Sequence, residues 1–126
     1  MKTWALLALT LASCGGEAAL QGNCGRSVAP DGAALCIDGR ATSPAALDAV
    51  HEGTCPNAPW SSGSCPRGDR LGGCLTGYIG TPEGGAGQLI FWYYPSATVQ
   101  TEADVMNRCA RFDEMFVPAD GGFPPA

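Results

Sequence analysis

The sequence predicts a small α+β domain with about four short antiparallel strands and two helices, held together by three disulfides. Six cysteines follow residue 20 of the 126-residue chain, and an even number is typical of the disulfide framework of small exported domains. The chain has 18 glycines and 10 prolines, which favour turns over long helices. The aromatic and β-branched run "LIFWYY" at residues 89–94 predicts the strongest strand.

The first 13 residues have the order of a secretory signal peptide. Lys2 gives a basic start, residues 4–11 are apolar except for Thr10, and two small residues follow. This apolar run is much shorter than the roughly 20 residues that a membrane-spanning helix needs. We therefore interpret residues 1–13 as a targeting segment.

The motif Leu11-Ala12-Ser13-Cys14 that ends this segment resembles the lipobox of bacterial lipoproteins. In that family the cysteine thiol receives a diacylglyceryl group, and signal peptidase II then cuts just before it. The resemblance implies that Cys14 carries acyl chains that hold the protein at a membrane. Gly15, rather than the Asp that marks inner-membrane retention in Gram-negative lipoproteins, implies the outer membrane.

Local signals predict elements in order along the chain. Residues 14–23 form a lipidated cysteine and a flexible tether, and the cysteine-rich domain covers 24–120. Pro30-Asp31-Gly32 predicts the turn of a loose hairpin, and Ser43 and Pro44 predict the start of a helix.

The second half follows the same kind of signals. We predict strands joined at Pro66–Asp69, a second hairpin around residues 81–87, a helix capped by Thr101 and a short strand at "MFVP". The last residues, 121–126, are predicted to be frayed.

Composition excludes several classes of function. Without Lys2 the chain has six arginines and twelve acidic residues, a net charge near −6, so it has no electrostatic footprint for nucleic acid. The cysteines form no CxxC pair, and His51 is the only histidine. We therefore expect no metal site.

The pairing of the six cysteines stays open, because six cysteines allow 15 connectivities. Cys109 lies on the apolar face of the second predicted helix and Cys74 in a predicted strand. This placement favours Cys74–Cys109, with Cys36–Cys55 and Cys24–Cys65 as companions. The main alternative pairs Cys24–Cys36, Cys65–Cys74 and Cys55–Cys109.

The segments "SGSCPRGDRLGGC", "FWYYPSA" and "ADVMNRCARFDEMFVP" resemble small cysteine-rich predicted lipoproteins of deltaproteobacteria, especially myxobacteria. The resemblance covers roughly residues 55–118. It implies an extracytoplasmic module stapled by cysteines, and it implies no particular activity.

Candidate functional residues are few. No nucleophile–base pair is apparent, so we predict no catalytic residues and no cofactor. Trp60, Trp92 and Tyr94 are candidate stacking residues, because alternation places Trp92 and Tyr94 on one face of their strand. We expect a lipid-anchored cell-envelope protein that acts as a structural or interaction module. The alternative is a glycan- or peptide-binding module that uses the aromatic strand Phe91–Tyr94.

Overall fold

The structure is a computed structural model that describes residues 20–55, 61–77, 79–80 and 85–124. The signal segment, Cys14 and Trp60 lie outside the described residues. Within the described ranges the chain forms one antiparallel sheet of seven strands and two helices. The α+β class is therefore confirmed, whereas the predicted four strands are too few. Two of the additional strands, Ser61–Ser62 and Ile79–Gly80, have only two residues each.

Two strands precede the first helix, four strands lie between the two helices, and one strand follows the second helix. The strands are β1 (Leu20–Val28), β2 (Ala34–Ala41), β3 (Ser61–Ser62), β4 (Gly72–Leu75), β5 (Ile79–Gly80), β6 (Ala86–Tyr94) and β7 (Met115–Pro118). The helices are α1 (Pro44–Thr54) and α2 (Glu102–Arg111). The order across the sheet is β3-β1-β2-β6-β4-β7, and β5 pairs with β6.

Local chemistry fixes the ends of several elements as predicted. The β1–β2 hairpin turns at residues 29–33, where the Asp31 carboxylate accepts a bond from the Ala33 backbone N–H. Ser43 caps α1 and Pro44 opens it. Thr101 caps α2 in a capping box with Asp104, which satisfies backbone N–H groups that the first turn leaves unpaired.

Both helices cover the same side of the sheet, here called the helix face, which carries Leu35, Cys74 and Tyr93. Val105 and Cys109 of α2 pack into that cluster. For α1, a Cβ on Gly87 would overlap Val50, so glycine lets the helix approach the strand. The helix face therefore holds the core that the apolar stripe of α2 predicts.

The opposite side, here called the loop face, has a second core around Cys36, Ile90 and Trp92. No helix lies on this side within the described residues; the segment before β4 and the chain after β7 cover it. Cys65 from the first of these and Phe123 from the second pack against the cluster. The sheet is thus buried on both sides.

Three disulfides connect the covering segments to the sheet. Cys74–Cys109 joins β4 to α2 and confirms that predicted pair. The other two predicted pairs are wrong, because the partners are Cys24–Cys55 and Cys36–Cys65. Cys36 lies opposite Trp92 in the β2–β6 register and shares its loop face, whereas α1 lies on the helix face. Cys55, just past the end of α1, is therefore on the wrong side of the sheet for Cys36.

Three boundary predictions also need correction. The tether is shorter than 14–23, since β1 begins at Leu20 and Asn23 is already buried. Residues Pro66–Asp69 do not join two paired strands, because β3 pairs with β1 instead of β4. The tail is not frayed at Phe123, whose ring packs on the loop-face core below the Arg40 guanidinium. In each case, contacts with distant parts of the chain order a segment whose own sequence has no helix or strand periodicity.

Candidate functional site

Trp92 and Tyr94 point to the loop face, but neither is open to solvent. Their exposed fractions are 1% and 0%, and the Tyr94 hydroxyl donates to the Pro66 carbonyl oxygen at 2.6 Å. The prediction that this pair forms an exposed stacking platform is therefore wrong. The segment before β4 closes over Tyr94, and an aromatic strand alone carries no signal for such a cover.

A buried carboxylate organises the loop face beside Trp92. One Asp38 oxygen accepts from the Trp92 indole N–H at 2.8 Å, and the other accepts from the Cys65 backbone N–H at 2.8 Å. Asp38 therefore links the central strand pair to the covering segment. The Cys36–Cys65 disulfide fixes the same contact covalently.

Burial raises the pKa of the Asp38 carboxyl above its ordinary value of 3.8, and its two hydrogen bonds and Arg70 oppose that rise. The folded state therefore keeps this proton at pH values where the unfolded state has released it. The contribution of Asp38 to the free energy of unfolding is consequently largest below pH 3.8 and decreases as pH rises through the higher folded-state pKa.

We expect the free energy of unfolding of the wild type, relative to that of Asp38→Asn, to decrease as pH rises through the raised folded-state pKa of Asp38, because burial penalises the ionised carboxylate whereas the amide does not titrate. Urea unfolding at several pH values measures this difference. Asp48→Asn, at an exposed carboxylate on α1, is the control; a pH-independent difference would contradict the assignment.

Three arginines surround a polar pocket of about 220 Å³ on the loop face. Arg40, Arg67 and Arg70 line it together with Asp38 and Trp92. The Arg70 guanidinium stacks on the Trp92 ring at 3.5 Å from its centroid and donates to the carbonyl oxygens of Ala119 and Gly121. We call this site the arginine pocket.

Contacts hold two of these side chains in place. Arg40 donates twice to the Gln88 side-chain oxygen, at 3.0 and 2.8 Å, and lies over the Phe123 ring. Arg40 and Arg70 are 5% and 6% exposed. Arg67 is exposed and donates to the Asp120 carbonyl oxygen at 3.2 Å. The pocket thus has two fixed guanidinium groups and one on its outer side.

A second concavity, of about 420 Å³, lies on the helix face between β6 and the end of α2. Phe91, Tyr93 and Phe112 line it, and we call it the aromatic groove. Arg108 at its edge bonds to the Asp31 carboxylate and lowers the pKa of that carboxyl. Phe91 and Tyr93, instead of Trp92 and Tyr94, are therefore the residues of the aromatic strand beside an open surface.

Neither a metal-ligand cluster nor a membrane-spanning helix is found among the described residues. Among the residues that the structure describes, no group of three His, Cys, Asp or Glu side chains is placed to hold a metal ion. No helix of these ranges is long and apolar enough to cross a membrane.

The fold and its contacts define a disulfide-stapled α+β domain with two cores, an arginine pocket and an aromatic groove. Comparisons of this chain with protein-family models, with curated proteins and with solved structures find no match.

Sequence reasoning missed the arginine pocket because its members come from separate segments. Arg40 belongs to β2, whereas Arg67 and Arg70 precede β4. One signal was available, because three of the chain's six arginines are close in sequence to Asp38 or Cys65. Arg40 lies two residues after Asp38, and Arg67 and Arg70 lie two and five residues after Cys65. The Cys36–Cys65 bond and the hydrogen bond from the Cys65 backbone N–H to Asp38 bring these two groups together.

Proposed function

We propose that this chain is a lipid-anchored cell-envelope protein that acts as a structural or interaction module outside the cytoplasm. The observation that carries the proposal is the cysteine count. The chain has seven cysteines, and six of them form the three disulfides. The seventh is Cys14, which ends the lipobox-like motif. A thiol left out of the disulfide framework at that position suits thioether formation with a lipid.

The disulfides also support the proposed compartment. Structural disulfides form and persist in oxidising surroundings such as the bacterial periplasm or the cell surface. Each disulfide has one cysteine in a strand: Cys24 in β1, Cys36 in β2 and Cys74 in β4. All six cysteines are buried. This arrangement is that of a structural framework, because buried bonds are shielded from exchange with external thiols.

Mass spectrometry of the amino-terminal peptide, after expression in a Gram-negative host, tests the proposal. We expect a diacylglyceryl group on Cys14 and recovery with the outer membrane. Cys14→Ser should leave an unlipidated precursor, while the control Ser13→Ala keeps a small residue before the cysteine and should be processed normally. Gly15→Asp should shift the protein to the inner membrane. An unmodified amino terminus at any other residue would refute the lipid anchor.

A second candidate function is peptide binding in the aromatic groove. The walls of the groove are mainly apolar, and its edge groups Asp31 and Arg108 already bond to each other, which leaves few donors for the many hydroxyls of a glycan. Glu114 also lines the groove, and burial raises the pKa of its carboxyl. With Asp31 and Glu114 ionised, the lining groups carry a net charge of −1. These features favour an apolar peptide segment with a basic residue.

Two exposed residues of the α2 region provide a matched test of the groove. Phe112 is 59% exposed and lines it, whereas Met106 is 47% exposed and does not. We expect a fluorescent Phe- and Lys-containing peptide to bind, and Phe112→Ala to weaken binding about fivefold, as loss of a contact worth about 1 kcal/mol would. Met106→Ala should have no effect. Equal affinity for a matched acidic peptide would exclude this function.

A further inference from the structure

The arginine pocket concentrates positive charge in an acidic protein. The chain has six arginines and twelve acidic residues, and three of the arginines line this one pocket of about 220 Å³. A fourth, Arg26, stacks on the Tyr94 ring at 4.0 Å on the same face of the sheet. Like charges do not gather in a small volume without an energetic cost.

This unfavourable interaction affects the pKa of the Arg70 guanidinium. Burial and the nearby Arg67 charge both lower the pKa of the Arg70 guanidinium, while Tyr94, Asp38 and Asp120 raise it. Arg67 and Arg70 therefore repel each other across the pocket. An anion placed between them would relieve this repulsion.

Contacts that stabilise the fold explain the presence of only some of the arginines in the arginine pocket. Arg70 and Arg40 hold the chain after β7 through backbone carbonyls and the Phe123 ring. Arg67 makes one bond to an exposed turn at Asp120. It nevertheless lines the same pocket, where its charge is unfavourable to Arg70. A ligand would explain why a third arginine is present there.

We propose that the arginine pocket binds a phosphomonoester group. Its ionisable lining groups are three guanidiniums and the Asp38 carboxylate, a net charge of +2 (3 − 1). A phosphomonoester carries about −1.5 to −2 at neutral pH, so its charge matches that of the pocket. Guanidinium groups donate charge-assisted hydrogen bonds to phosphate oxygens. The Nε and Nη2 atoms of Arg70 already donate to the Ala119 and Gly121 carbonyl oxygens, and its ring contact with Trp92 fixes the group, so its remaining N–H groups are held in place before the ligand arrives.

The size of the pocket agrees with this ligand class. A volume of about 220 Å³ admits a phosphate group with a small substituent, and Gly121 and Gly122 on one wall add no side chain that would fill it. The phosphomonoester could belong to a small soluble molecule or stand at the head of a membrane lipid. Both sources present the same dianion to the same arginines.

Titration of the full chain, purified in detergent with its disulfides formed, tests the site. The probes are inorganic phosphate, glycerol 3-phosphate, and phosphatidic acid in mixed micelles, with phosphatidylcholine micelles as the blank. The readout is the Trp92 indole N–H resonance, whose ring lies under Arg70. We expect saturable shifts with at least one phosphomonoester probe and none with phosphatidylcholine. Shifts with phosphatidic acid alone would identify a lipid head group, and shifts with the soluble probes would identify a soluble ligand.

Arg67→Ala is the decisive variant, because Arg67 is exposed and its loss should leave the fold intact. We expect it to weaken binding about tenfold, as removal of one charge-assisted hydrogen bond does. Arg111→Ala removes the same charge at an exposed site on α2 outside the pocket and should change affinity less than about twofold. Absence of shifts with every probe, or equal losses in the two variants, would overturn the proposal.

Discussion

Replacement of Cys74 and Cys109 together by alanine is expected to lower the free energy of unfolding by more than 4 kcal/mol. The bond joins residues 35 apart in sequence, and the chain-entropy model assigns about 4 kcal/mol to closing a loop of that size. Both cysteines are also buried in the helix-face core. Removal of two sulfur atoms leaves a void between β4 and α2, which adds to the loss.

Removal of the Cys24–Cys55 bond is a matched control for this effect. Its sequence separation of 31 gives nearly the same entropic term, but its cysteines, each 7% exposed, belong to neither of the two core clusters. The two double-alanine variants should therefore differ by the packing contribution alone. Urea unfolding of both under oxidising conditions measures the difference. If the Cys24–Cys55 variant were the less stable of the two, the account of the helix-face core would be wrong.

Trp92→Ala is expected to lower the free energy of unfolding by about 3–5 kcal/mol, the usual range for a buried aromatic side chain. The indole fills the centre of the loop-face core and donates to Asp38. Its loss opens a cavity, removes the surface on which Arg70 stacks and leaves one Asp38 oxygen without its donor.

Tyr94→Phe serves as the comparison for Trp92. It keeps the ring and removes only the hydroxyl that donates to Pro66, so a loss of about 1 kcal/mol is expected. Thermal unfolding of the two variants separates the packing contribution from that of a hydrogen bond. Equal destabilisation by both changes would argue against Trp92 as the centre of the core.

Local signals in the sequence predicted the parts of the fold that depend on neighbouring residues. Ser43 with Pro44, and Thr101 with Asp104, start the two helices where expected. The Cys74–Cys109 bond followed from the apolar face of α2 together with a neighbouring strand. These inferences need only the periodicity of a helix or a strand.

The remaining disulfides and the arginine pocket depend on strand register and on irregular segments. Cys36 takes the loop face because β2 pairs with β6 in the register that sets it opposite Trp92. Nothing in the spacing of the cysteines specifies that register. Gly73 leaves room for Trp92, since a Cβ there would lie 2.7 Å from the indole ring, and this contact too depends on strand register, that of β4 and β6.

The two outermost strands of the sheet affect how readily neighbouring copies of the protein pair their strands on a crowded membrane. β3 has two residues, and β7 has four and ends in Pro118, which has no backbone N–H to donate. Long, flat outer strands recruit strands from other molecules and start aggregates. Chains fixed to one membrane, as proposed for this protein, meet one another far more often than chains in dilute solution. At β3 and β7, such short strands leave little backbone with which a neighbouring molecule could pair.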